Sequence, residues 1–379
     1  MTLSRRARLS ALAVFALTVP AYAQVDTPAP HAIIYDYDSS EVLFCKSCDV
    51  AMPPSSMSKL MTAELVFQRL KDGRLKPTDT FHVSETAWRQ GQKDNESKMW
   101  VAINSDVSVD DLLKGIIVQS GGDACVVVAE ALGGTEAGFA QMENKRAVDL
   151  GLTHSHFVNS SGLPDPGQTM SAEDLAKLSA HIIREYPEYY AYFKLPDFTW
   201  SKIKQANRNG LLAMNIGADG LKTGHTDAGG YGIVGSAVQG GRRLIVVVNG
   251  LESVNARNSE AARLLGLGFR EFKRYELLVA NDVVGDAPVW GGAKDKVALM
   301  VSAPVRVSMA EDARRDMKVT LHYDGPVAAP IAAGQQIGTL TVTAPGKQDI
   351  TVPVVASEAV PRTGIVGHML LGLRALVPG

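Results

Sequence analysis

Short alternating apolar runs open the chain, helical spacing of apolar residues dominates its middle, and alternation returns afterwards. Ala32–Tyr37 and Glu41–Cys45 flank an Asp38-Ser39-Ser40 turn, which predicts a β-hairpin over 31–45. The segment Ser56–Phe67 reads as the start of a helix over about 56–71, with Pro53-Pro54-Ser55 leading in. Arg89–Glu96 is polar and contains Gly91, so it reads as a loop. Ser108 and Asp111 give an N-cap signature for the next helix. Further helices are predicted over 123–132, 136–150 and 172–185. Gly151 is placed to end the 136–150 helix, and Ser171 with Asp174 to cap the last.

Three strands follow, Gly220–His225, Tyr231–Ala237 and the apolar run Arg243–Val248, then a helix over about 256–273. Ala261, Leu264, Leu265 and Phe269 lie at helical spacing in it. Strands at both ends with helices between predict an α+β domain over 30–273, one antiparallel sheet covered by helices. From about 276 the texture changes to short alternating runs, Lys296–Val301, Met317–Tyr323 and Gly338–Val342, between Gly, Pro and Asp turns. A small β-sandwich over 276–358 is the expectation, with no catalytic constellation in it. Over 362–379 the pattern turns amphipathic, with Ile365, Val366, Met369, Leu370, Leu373 and Leu376 on one face. Too short to span a bilayer, this tail reads as a helix lying on a membrane surface; a terminal helix packed on the sandwich is the alternative.

Composition adds a compartment. Arg5, Arg6 and Arg8, the apolar run Leu9–Leu17 and Ala21-Tyr22-Ala23 have the layout of a secretory signal peptide over 1–23. A membrane anchor is the second reading. The chain has 38 basic and 40 acidic residues, and nothing in that balance points to nucleic acid. Cys45 and Cys48 form a C-x-x-C pair, for which a local disulfide is the first reading. A redox site, zinc and free thiols stay open. Cys125 is a lone thiol in an apolar helical run, which packing alone explains.

The chemistry is concentrated in three short stretches. Serine needs a base to become a nucleophile, and Lys59 stands three residues after Ser56, on the same helical face. A second S-x-x-K, Ser201 to Lys204, lies in the alternating stretch Phe198–Ile203 and reads as a surface strand. Lys59 acts as a base only when neutral, and burial or a second cation favours that form. Lys222, in Lys222-Thr223-Gly224, is the candidate second cation and would attract a substrate carboxylate. Ser120, ahead of Gly121 and Gly122, is free to present its hydroxyl as a proton relay.

Taken in order, these stretches resemble the low-molecular-mass penicillin-binding proteins, the serine-type D-alanyl-D-alanine carboxypeptidases. Pro54–Thr62, Ser120–Cys125, Phe157–Pro164 and Gly220–Thr226 carry the resemblance. It implies a penicillin-binding/β-lactamase-like fold, Ser56 as nucleophile, Lys59 as base, Ser120 as proton relay, and Lys222, Thr223, Gly224 and His225 as substrate-binding residues. The backbone N–H groups of Ser56 and His225 would form the oxyanion hole. By spacing, Arg257 falls where the family places an arginine for the terminal carboxylate. The implied partners are peptidoglycan stem peptides ending in D-Ala-D-Ala, β-lactams as inhibitors and the inner-membrane surface, in the periplasm, with no cofactor and no metal. One position departs from the family: its second motif ends in asparagine, and here that place is Gly122. A β-lactamase and a penicillin-binding wall protein with weak or lost turnover are the competing readings. A β-lactamase needs a deacylating carboxylate, and no Glu-x-x-x-Asn loop follows the third helix.

Overall fold

The computed structural model describes residues 26–93, 96–345 and 349–364. The expected signal peptide over 1–23 and most of the tail over 362–379 lie outside them. Strands β1 (His31–Asp36) and β2 (Glu41–Lys46) form the expected hairpin, and α1 (Lys59–Lys71) follows a 3-10 turn over Ser55–Ser58. Then come β3 (Thr80–His82), α2 (Glu85–Gln92), β4 (Asp106–Ser108), α3 (Val109–Ile117), α4 (Gly122–Gly133), α5 (Glu136–Asp149) and α6 (Ala172–Glu185). The hairpin β5 (Asp197–Trp200) and β6 (Ile203–Ala206) precedes β7 (Ala218–Thr226), β8 (Gly230–Gln239), β9 (Arg242–Leu251) and α7 (Val254–Glu271).

The central sheet has the order β2-β1-β9-β8-β7, and every pairing in it is antiparallel. The last three strands thus return to the first two, which is how one sheet gathers both ends of the expected α+β domain. One face packs on α1 and α6 through Ile33, Val234, Ile245 and Val247. The other packs on α7 through Ile34, Val246, Leu264 and Leu265. That two-sided burial explains the unbroken apolar run in β9. Caps fall where expected: Ser108 Oγ accepts from Asp111 N and Ser171 Oγ from Asp174 N, each at 3.0 Å.

Two expectations need correction. Arg89–Gln92 belong to α2 rather than to a loop. Ser84 caps that helix by accepting from Ala87 N at 3.0 Å. Its glycine is a contact residue: a Cβ on Gly91 would lie 3.0 Å from Asp123 Oδ2, so only glycine lets α2 approach α4 so closely. Ser201 and Lys202 are not in a strand but form the turn between β5 and β6, with φ of 48° and 67°. Both are exposed, so the second S-x-x-K is a surface feature.

After α7 the chain is β-rich. A two-stranded sheet joins β10 (Phe272–Leu278) to β13 (Val305–Ala310). A six-stranded sheet has the order β14-β16-β17-β12-β11-β15, built from β11 (Val283–Trp290), β12 (Lys296–Val301), β14 (Lys318–Tyr323), β15 (Val327–Ala328), β16 (Gln336–Thr343) and β17 (Ile350–Ala356). Both sheets contribute to one apolar core that includes Val307, Met309, Leu299 and Val354. Asp36, fully buried at the end of β1, ties this region to the central sheet. Its carboxylate pairs with Arg242 at 2.7 Å and Arg274 at 3.1 Å, and accepts from Ser308 Oγ at 3.1 Å. Cys45 and Cys48 are joined by a disulfide, and Cys125 is free and buried.

Candidate active site

A 3-10 turn repeats every three residues, so its i and i+3 side chains share a side. Ser56 and Lys59 use that repeat, and Lys59 Nζ donates to Ser56 Oγ at 2.8 Å. Ser55, immediately before, has φ of +50°, a conformation that non-glycine residues adopt only under tight constraint. Lys59 Nζ also donates to the Ser161 carbonyl. The loop holding that carbonyl is shaped by Asn159, whose Oδ1 accepts N–H bonds from Ser161 at 3.2 Å, Gly162 at 2.7 Å and Leu163 at 3.0 Å. Thr62, one turn after Lys59, bonds the neighbouring Ser160 carbonyl at 2.6 Å and Glu143 at 3.0 Å. Burial pushes the Glu143 carboxyl well above its usual range, against the lowering effect of the Thr62 hydrogen bond.

Lys59 is 3% exposed, and burial is the main cause holding its pKa below the usual 10.5. Among the acidic groups opposing this, Cys125 acts most strongly. Burial pushes that thiol up to about 12, however, so it carries no charge near pH 7. Arg208 lowers the Lys59 pKa further, while Glu96 and Asp123 oppose.

The second pair lies across the cleft. Ser120, in the turn between α3 and α4, has φ of +60° and accepts from Lys222 Nζ at 2.9 Å. Lys222 is on β7, an edge strand of the central sheet, so one side of its backbone has no strand neighbour. Its pKa is held well below 10.5, chiefly by burial, then by the charges of Lys59 and Arg208. Gly224 is glycine because the strand meets the nucleophile turn here: a Cβ would lie 2.9 Å from the Pro54 carbonyl oxygen. Thr223 is buried beside it. His225 is exposed, and its ring stacks on Tyr231 with centroids 3.9 Å apart.

Ser56, Lys59, Gly122 and His225 line a cleft with a cavity volume of about 590 Å³. Arg257 lies in the first turn of α7. It is 4% exposed, donates to the Arg208 carbonyl at 3.2 Å, and burial takes its pKa down to about 10. Its charge contributes to lowering the Lys222 pKa. Sequence reasoning missed Arg208, Glu96 and the Ser161 carbonyl. Arg208 and Glu96 sit in loops without periodicity, and a carbonyl carries no residue signature.

The D-alanyl-D-alanine carboxypeptidase family matches residues 18–253, and the C-terminal domain of penicillin-binding protein 5 matches residues 272–362. This chain belongs to the D-alanyl-D-alanine carboxypeptidase family. The D-alanyl-D-alanine carboxypeptidase DacA of Escherichia coli K12 is 34% identical over 356 residues, covering 93% of this chain and 88% of that relative. The crystal structure of penicillin-binding protein 5 from Haemophilus influenzae is similar with a TM-score of 0.78 at 36% identity, covering 89% of this chain and 99% of that one. Penicillin-binding protein D2 from Listeria monocytogenes, solved in a cefotaxime-bound form, gives a TM-score of 0.59 at 30% identity over 65% of this chain and 99% of its own. The carboxypeptidase fold here is therefore a penicillin-binding domain of helices and antiparallel sheet followed by a β-rich domain.

Proposed function

We propose that this chain performs the serine D-alanyl-D-alanine carboxypeptidase reaction through an acyl-enzyme on Ser56, with peptidoglycan stem peptides ending in D-Ala-D-Ala as substrates and β-lactams as inhibitors. The observation that carries this reading is the 2.8 Å hydrogen bond from Lys59 Nζ to Ser56 Oγ. Neutral Lys59 takes the Ser56 proton as Oγ attacks the carbonyl of the penultimate D-alanine. The backbone N–H groups of Ser56 and His225 receive the developing oxyanion. Lys222 and Arg257 draw the terminal carboxylate, supported by Thr223, Gly224 and His225 on the same strand. Ser120, bonded to Lys222, passes a proton to the leaving D-alanine amine. Water then hydrolyses the ester. Relatives named D-alanyl-D-alanine carboxypeptidases favour this reading over a β-lactamase or a wall protein without turnover.

Ser56→Ala removes only the attacking oxygen. It is expected to abolish covalent labelling by fluorescent penicillin while circular dichroism stays unchanged. Labelling that persists at another residue would refute Ser56 as nucleophile.

The proposal extends to location and layout: a catalytic unit over 30–273, a β-sandwich over 276–358, export by residues 1–23 into the periplasm, and peripheral attachment to the cytoplasmic membrane by 362–379. The amphipathic pattern of the tail supports attachment. Among the described residues no helix is long and apolar enough to cross a membrane.

A further inference from the structure

In β11, Ala287 is buried and Val289 packs on the apolar core of the β-rich domain, so strand alternation turns Asp286, Pro288 and Trp290 outward. Polar residues usually take outward positions on a strand with one buried face. Trp290 is instead 63% exposed, the most exposed Phe, Tyr or Trp among the described residues. Hydrogen bonds fix what surrounds it. Trp290 pairs with Ala328 of β15, and its carbonyl accepts from Ala329 N at 2.9 Å. The segment ending at residue 364 is zipped onto the turn that follows. Thr363 N donates to the Gly291 carbonyl and Ala293 N to the Pro361 carbonyl, each at 2.9 Å. The chain therefore leaves the described fold beside Trp290. Ala293, Ala328, Pro330 and Pro361 are exposed as well, so the indole belongs to an apolar patch and is not a scattered surface residue.

The charges next to this patch suit an anionic surface. Lys294, Lys296 and Arg362 outnumber Asp295 and Glu358, and Lys294 is paired with Glu358. From residue 359 onward the sequence has no Asp or Glu, while Arg362 and Arg374 are basic. An indole combines an apolar ring with one N–H donor, which suits the boundary between acyl chains and lipid headgroups.

We propose that the patch around Trp290 is a second membrane contact, in which the indole enters the headgroup region of the bilayer beside the amphipathic tail. This rests on the attachment by residues 362–379 proposed above. One tryptophan on a folded domain binds lipid weakly, and so does one short amphipathic segment. Linked two contacts bind more tightly than either, because the first raises the local concentration of the second. The patch also fixes which face of the β-rich domain meets the membrane.

The test uses the full mature chain and vesicles of phosphatidylethanolamine and phosphatidylglycerol, with plain or brominated acyl chains. Brominated chains are expected to quench part of the parent's tryptophan fluorescence. Trp290→Phe keeps an apolar ring, so it should still bind while losing that quenching. Trp290→Ser should weaken vesicle binding by about tenfold. Turnover of a soluble peptide should not change, because Trp290 is not among the residues lining the catalytic cleft. A bound parent without quenching would overturn the proposal, and is the result expected if the tail packs over Trp290 instead. Quenching that survives in Trp290→Phe, or parental binding by Trp290→Ser, would overturn it too. A parent that does not bind the vesicles at all would refute the attachment reading itself, and this proposal with it.

Discussion

Lys222 and Ser120, separated by 102 positions, are joined by a 2.9 Å hydrogen bond inside the protein. The bond matches the one between Lys59 and Ser56, so the site contains two Lys–Ser pairs with buried lysines, and the charge of Lys59 acts on Lys222. One serine has the base beside it and lines the cleft; the other is held by the lysine of the edge strand. That asymmetry fits a division into nucleophile and relay.

Ser120→Ala should keep the Lys59–Ser56 pair and lose the relay. Acylation by labelled penicillin is expected to fall by about 10²-fold or more, the range of general acid–base catalysis, with thermal stability little changed. Stopped-flow labelling checks this. Unchanged acylation would show that Lys222 or water moves the proton without Ser120.

The lowered Lys59 pKa sets the pH dependence. The base must be neutral, so acylation should rise with pH along a limb lying below the ordinary lysine value of 10.5. Stability follows the same titrations. Folded Lys59 and Lys222 lose their protons at lower pH than in the unfolded chain, so the unfolded chain binds more protons between those values and 10.5. Their contribution to stability therefore increases as pH rises through that window. Lys59→Arg keeps the charge at all accessible pH and should lose the limb together with acylation. A parent limb centred on the ordinary lysine value would contradict this account.

Gly122→Asn tests the departure from the family motif. A Cβ at residue 122 meets only ordinary contacts, the nearest being the Ser97 carbonyl oxygen at 3.5 Å, so the variant should fold. Restored amide contact to the substrate is expected to raise D-alanine release about tenfold, equivalent to about 1.4 kcal/mol of transition-state stabilisation. Steady-state release assays check it. A slower variant would mean that the site has already compensated for Gly122 and that asparagine disturbs it.

Removal of residues 365–379 should free the protein from membranes with soluble-substrate turnover unchanged. The cut spares Arg362, which donates to the Ala329 carbonyl at 2.9 Å. Sedimentation of the truncated form with vesicles would show that the attachment lies elsewhere.

The sequence by itself determined the elements whose signals are local. Period-2 and period-3.6 patterns placed β1, β12, α5 and α6, caps at Ser108 and Ser171 fixed helix starts, and the i to i+3 spacing of Ser56 and Lys59 already implied their contact. The α+β order was legible because strands at both ends of a domain need a common sheet. Where a local signal had a tertiary cause, it misled: Gly91 looked like a loop glycine but is a point of close approach to Asp123. Long-range proximity was decided only by the fold. The edge position of β7 brings Lys222 to Ser120, α7 carries Arg257 to the Arg208 carbonyl, and packing alone places Glu96 at the cleft and Arg208 on the Ser97 hydroxyl beside it. The reason is physical. A residue's type records its chemistry and its spacing records its element, whereas the neighbour across a cleft is chosen by how separate elements bury their apolar faces together.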